Sequence, residues 1–263
     1  MRWSLIAAVN NERVLANSLL RSPDLTSASD VTLKRGFASA GFAYNAGMAE
    51  SSGAVLVFAH QDVYLPRGWI SSLAAQIRQI ETLDDRWGVL GVYGTEHDGG
   101  RVGHVYSTGL KGVLGEPFTP PRRVRSVDEM LLVLRRHTGL KFDPQLPGFH
   151  LYGTDICLEA ARRGWNCHVI STYCVHNSNG LGDNLPASFW RAYRYMRGKW
   201  CAELPIVTPC ITINSSTFTI FSHIVRGLYY RWTGQERIGQ RVDDPEQFCP
   251  SVPLESDELQ ANP

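Results

Sequence analysis

An unbroken apolar run, Ala54 to Ala59, stops abruptly at three polar residues, His60, Gln61 and Asp62. A run this short and this rich in Val, Leu and Phe reads as a strand buried on both faces. Pro66 and Gly68 punctuate the loop beyond it, and residues 69–80 carry a helical pattern. In an open α/β sheet ligands sit at the carboxyl ends of the strands, so Asp62 lies where one is expected. A carboxylate there can hold a hard cation, and the cation can hold a phosphate. On spacing alone, a turn that merely caps the strand explains the three residues equally well.

The rest of the chain repeats the alternation. Residues 3–9 read as a first buried strand, 10–13 as the loop beyond it and 14–20 as a helix, with Asn11 as its N-cap. That unit lacks Gly-x-Gly-x-x-Gly and a Walker A loop, which argues against a dinucleotide fold and a P-loop ATPase. Residues 21–39 are polar and hide a second strand that the pattern does not place. In the helical stretch ending at Ser52, Ala43, Ala46, Gly47 and Ala49 allow close approach to a sheet, and Asn45 reads on pattern alone as a surface residue. Residues 87–93 read as a strand, and 94–115 as a glycine-rich loop with a hairpin. Residues 117–125 form a basic proline-rich loop, and 127–135 a strand with Asp128 and Glu129 at its start. A helix over 154–163 ends at Gly164, and a last strand over 167–171 precedes His176. Alternating strands and helices predict a mostly parallel sheet with helices on both faces.

Residues 185–200 are helical, basic and aromatic, and 218–232 are amphipathic. Residues 243–263 contain four prolines and several acids and read as a disordered tail. The predicted organisation is a catalytic domain over 1–180, a helical extension packed on it over 181–240, and a disordered tail over 241–263. The formal net charge of +1 gives no reason to expect a nucleic-acid partner. Six cysteines without a Cys-x-x-Cys pair are expected to be buried free thiols in a reducing cytosol. No stretch has eighteen uninterrupted apolar residues, and Leu5 to Val9 is too short for a leader or anchor. A cytoplasmic protein is expected. The oligomeric state is left open.

Polar residues gather at the strand ends: 10–13, 60–62, 154–155 and His176. Asp62 and His176 are candidates to share Mn²⁺ or Mg²⁺ with phosphate oxygens. Asp155 is then free for acid–base work.

Residues 3–13 (WSLIAAVNNER), 43–47 (AYNAG), 55–63 (VLVFAHQDV) and 149–164 (FHLYGTDICLEAARRG) together resemble a family 2 inverting glycosyltransferase of the GT-A fold. The likeness covers roughly residues 1–180. It is similar more closely to the streptomycin-cluster-associated subgroup, which shares the His-Gln-Asp pattern. The resemblance implies a three-layer α/β/α sandwich and a nucleoside-diphosphate-sugar donor bound by Val9, Asn10, Glu12, Asn45, His60, Gln61 and Asp62. It implies Asp62 and His176 as metal ligands and Asp155 as the base, with Thr154 standing where the family has Glu. His60 stands where the family's first Asp would be, and it is read as facing the sugar nucleotide. Glu12, Asp24 and Asp30 are candidates for the nucleotide base. The acceptor is an unknown glycan, lipid-linked or small-molecule hydroxyl, with residues 190–200 as a candidate contact to the inner face of a membrane. The alternatives are a degenerate module that binds a glycan or partner, and a nucleotidyltransferase.

Overall fold

A computed structural model describes residues 2–27, 29–180, 185–216, 218–233 and 239–250. In chain order the elements are β1 (Trp3–Val9), α1 (Glu12–Asn17), β2 (Val31–Arg35), α2 (Ala40–Glu50), β3 (Val55–Ala59), β4 (Val63–Tyr64), α3 (Trp69–Leu83), β5 (Trp87–Gly91), β6 (Tyr93–Thr95), β7 (Arg101–Ser107), β8 (Gly112–Gly115), β9 (Arg122–Arg123), β10 (Ser126–Val127), β11 (Leu131–Arg135), α4 (Tyr152–Arg162), β12 (Asn166–Val169), β13 (Val175–His176), α5 (Ala187–Lys199), β14 (Ile206–Val207), β15 (Thr212–Ile213) and α6 (Phe218–Thr233).

The central sheet has seven strands in the order β2-β1-β3-β11-β5-β12-β9. β2, β1, β3, β5 and β12 run one way, while β11 and β9 run against them. Its two faces are closed by separate apolar clusters. Leu5, Ala7, Val55 and Val57 pack toward α1 and α3, whereas Ile6, Leu56 and Phe58 pack toward α2, α4 and α5. Period-two alternation in strands covered on both sides produces these two cores. Gly47 of α2 lies so close to Ile6 that a Cβ there would overlap the Ile6 side chain. The small-residue stripe therefore does bring that helix onto the sheet.

Several expectations are corrected. The hidden strand is β2, half-buried at the sheet edge. Residues 94–115 form two hairpins, β6–β7 and β7–β8, in a second sheet ordered β10-β6-β7-β13-β4. The expected strand over 127–135 is broken. β10 belongs to the second sheet and β11 to the first, with Asp128 and Glu129 at the crossing. The Asp128 N–H is held by the Tyr93 carbonyl at 2.8 Å, and its own carboxylate accepts from the Met130 N–H at 2.9 Å, a side-chain-closed turn.

α5 buries Phe189, Trp190, Tyr193 and Met196, with Trp200 buried just after it. Those aromatics, which made residues 190–200 a candidate membrane contact, are turned into the domain. α6 instead leaves Phe218, Phe221, Leu228 and Trp232 exposed. Among the described residues no helix is long and apolar enough to cross a membrane. All six cysteines are free. Cys157, Cys167 and Cys174 are buried, but Cys201 and Cys210 are exposed. Residues 241–250, assigned to the tail, are folded against the domain, and 251–263 lie outside the described residues.

Candidate active site

β3 ends at Ala59, and the His60 carbonyl accepts from the Val63 N–H at 3.1 Å, closing a turn that starts β4. β4 pairs with β13 so that Val63 faces His176, and the Asn177 N–H donates to the Asp62 carbonyl at 2.7 Å. Strand register alone therefore sets His176 beside Asp62, 114 residues away in sequence (176 − 62). His176 Nε2 lies 3.4 Å and His60 Nδ1 3.9 Å from Asp62 Oδ1. One ligand atom from each of the three falls within 4.8 Å of the others, a grouping able to hold a metal ion.

The electrostatics of the three are coupled. Burial works against charge on Asp62, but His176, His60 and Arg241 together outweigh it and hold the carboxyl well below the usual range. Burial likewise opposes charge on His176, and Asp62 overcomes it and raises that imidazole's pKa. His60 goes the other way, because burial dominates and lowers its pKa. Two imidazoles and one carboxylate suit a divalent transition metal such as Mn²⁺ better than Mg²⁺, which prefers oxygen. His60 thus lies within reach of the same point as Asp62 and His176.

Beside the cluster is a cleft of about 450 Å³, lined by Ala8, Val9, Asn10, Lys34, Gly36, Phe37, Tyr44, His60, Gln61, Asp62 and Phe149. Its size is that of a small-ligand site. The Gln61 side-chain carbonyl accepts from the Asn10 and Asn11 N–H groups, both at 3.0 Å, so this side chain ties the β3 loop to the β1 loop. Asn11 caps α1 as expected, accepting from the Val14 N–H at 3.1 Å.

Other expected site residues are elsewhere. Glu12 pairs with Arg35 at 2.6 Å on the surface. The Asn45 amide is spent on the Phe142 backbone, donating to its carbonyl at 2.7 Å and accepting from its N–H at 3.0 Å. Asp24 caps α3 through the Gly68 and Ile70 N–H groups, and Asp30 accepts from the Ser4 hydroxyl at 2.5 Å. Lys34, Gly36 and Phe37, at the end of the strand the pattern did not place, line the cleft.

Asp155 is 2% exposed. Its carboxylate accepts from Lys199 Nζ at 2.9 Å and from Trp200 Nε1 at 2.7 Å. Burial raises its pKa, and Lys199 only partly offsets this. The Asp155 carboxylate thus ties α4 to the end of α5. The backbone of Glu129 and Met130 runs past the cluster. β11 runs antiparallel to β3, with Leu131 facing Ala59, and the His60 N–H donates to the Met130 carbonyl at 3.0 Å. The Met130 backbone therefore lies against His60, with Glu129 one residue before it. Tyr152 Oη lies 2.8 Å from His60 Nε2 and donates to the Glu129 carbonyl at 3.0 Å. Burial, then the Asp128 charge, push the Glu129 carboxyl up to about 8, even though the Leu151 and Gly153 N–H groups at the start of α4 are aimed at it. Leu151 takes a left-handed φ of 63° to start α4, a local strain that only a well-packed surround sustains.

The mixed sheet, with this cluster and cleft at its carboxyl edge, has the GT-A fold. The chain belongs to the glycosyltransferase-like family, whose family model matches residues 4–202. It is 28% identical over 180 residues to "ATP synthase subunits region ORF 6" of Fuscovulum blasticum, covering 65% of this chain and 70% of that one. Among solved structures it resembles S. aureus TarS, at 14% identity and a TM-score of 0.51, over 75% of this chain and 38% of that one. It also resembles the mannosyltransferase PcManGT of Pyrobaculum calidifontis, solved with GDP-Man and Mn²⁺, at 12% identity and a TM-score of 0.45, over 87% of this chain and 64% of that one. The chain thus spans less than two thirds of either structural relative.

Proposed function

We propose that this protein moves a sugar from a nucleoside-diphosphate sugar to an acceptor hydroxyl, with inversion at the anomeric carbon. The observation that carries the reading is the convergence of His60, Asp62 and His176, two of which, His60 and Asp62, line the cleft. The nucleotide lies along the ends of β1 and β2, where Phe37 offers an aromatic face and the Asn10–Gln61 pair a polar one. The diphosphate lies over His60, Asp62 and His176, which would hold Mn²⁺ or Mg²⁺. The cation supplies Lewis-acid stabilisation of the charge that develops on the departing diphosphate.

Glu129 replaces Asp155 as base in this reading. A carboxyl poised near 8 is a good proton acceptor at mildly alkaline pH. The acceptor, on a glycan, a lipid-linked or a small molecule, loses its hydroxyl proton to Glu129. Its oxygen bonds to the anomeric carbon as the bond to the diphosphate oxygen breaks on the opposite face. Tyr152 fixes the Glu129 backbone and the His60 ring together, so base and donor site share one support.

The test is calorimetric titration of UDP, GDP, dTDP and CDP with and without Mn²⁺, in wild type and in Asp62→Ala. At least one diphosphate should bind more tightly with Mn²⁺, and Asp62→Ala should abolish that gain. Equal affinities in the variant and wild type would remove Asp62 from the donor site.

A further inference from the structure

The candidate cation cluster already has a cation beside it. Arg241 Nη2 lies 3.1 Å from Asp62 Oδ2, the oxygen other than the one nearest His176 and His60. Arg241 arrives on a strap, residues 239–249, most of which the composition assigns to a tail over 241–263.

The strap is firmly held. The Asn177 side chain clamps Val242, donating to its carbonyl at 2.8 Å and accepting from its N–H at 2.9 Å. The Arg241 N–H donates to the Asn179 side chain at 2.9 Å, and Arg241 Nε donates to the Asn177 carbonyl at 2.8 Å. Gly239 exchanges backbone hydrogen bonds with Gly109 and Gly180 and sits so close to Thr108 that any Cβ would overlap its carbonyl. Further along, the Phe248 ring stacks on Tyr106 with centroids 4.1 Å apart. The guanidinium is therefore built into the site.

The Asp62 carboxylate and the Arg241 guanidinium cancel one another. A bare divalent cation added to the same carboxylate leaves a net charge of plus two, in a half-buried place where repulsion between cation and guanidinium is poorly screened. A diphosphate reverses the balance, because its oxygens can neutralise the cation and accept the guanidinium fork at once. We propose that Arg241 makes cation and diphosphate binding mutually dependent. It disfavours the cation alone and holds the donor's phosphates when they arrive. This rests on the proposed function above.

Two measurements test it. Mn²⁺ alone is titrated against the full chain and read from the free-ion electron paramagnetic resonance signal. UDP is then titrated by calorimetry at saturating Mn²⁺, or whichever diphosphate the screen above selects. Arg241→Gln should bind Mn²⁺ about tenfold more tightly without nucleotide, and the diphosphate about tenfold more weakly with it, a coupling of ordinary size. Arg241→Lys keeps the charge but not the fork, so its Mn²⁺ affinity should match wild type while its diphosphate affinity falls. Gly239→Ala, which displaces the strap without touching the charge, should reproduce Arg241→Gln. If wild type binds both ligands but Arg241→Gln binds Mn²⁺ no more tightly, this inference is overturned and the proposed function stands. If wild type binds neither, both fall.

Discussion

Lys199 Nζ lies 2.7 Å from one oxygen of Asp155 and 2.9 Å from the other, and 2.7 Å from Asp143. One ammonium thus joins α4, α5 and the turn at residues 143–146. Breaking a buried pair leaves a charge uncompensated, at a cost of about 3 kcal/mol. Asp155→Asn should lose stability of that order in urea denaturation and keep its turnover within a few-fold. A hundredfold loss of turnover at unchanged stability would return Asp155 to the base's role.

Glu129 should set the pH profile. A base acts only when ionised, and this carboxyl sits at about 8. Below that value kcat/KM should therefore rise about tenfold per pH unit and level off above it. Glu129→Gln should lower turnover by roughly two to four orders of magnitude with donor affinity unchanged. A flat profile from pH 6 to 9 in wild type would exclude it.

Asn45 is expected to matter for stability and not for the donor. Its amide makes both hydrogen bonds to Phe142, whose ring packs on Tyr44 and Phe58 in the core. Asn45→Ala strands both Phe142 backbone groups, which should cost about 2 kcal/mol. Calorimetry should find donor affinity within twofold of wild type. A large affinity loss in a variant of normal stability would place Asn45 at the donor after all.

Two opposed magnitudes decide Gly47→Ala. Alanine improves the intrinsic stability of a helix interior by about 1 kcal/mol. The added methyl overlaps Ile6 in a closed core, and overpacking typically costs about 1–3 kcal/mol. Net destabilisation is expected. A raised melting temperature would mean that α2 shifts freely on the sheet.

The strands buried on both faces were legible, because continuous apolar runs such as residues 55–59 have few other uses. The turn after that strand and the Asn11 cap were legible for the same local reason. β2 was not, since only one of its faces meets the core and its sequence, VTLKR, mixes polar with apolar residues. With it went Lys34, Gly36 and Phe37. The fate of Asp155 depends on Lys199, 44 residues on, and that of Asp62 depends on Arg241, 179 residues on. No local pattern carries such a pairing. Proline and acidic composition made the Arg241 segment read as a tail, although Asn177 and the glycine contacts anchor it.

The strap has a consequence for the order in which the protein acquires its parts. Every strand of the central sheet precedes residue 170, and residues 239–249 follow all of them. During synthesis both hydrophobic clusters can close before Arg241 has left the ribosome. A nascent or shortened chain would then be folded yet hold Asp62 without its guanidinium, the state that Arg241→Gln imitates. By the charge balance proposed for the strap, such a chain would scavenge divalent cations in the absence of a donor. The strap's arrival would convert a metal trap into a site that waits for its nucleotide.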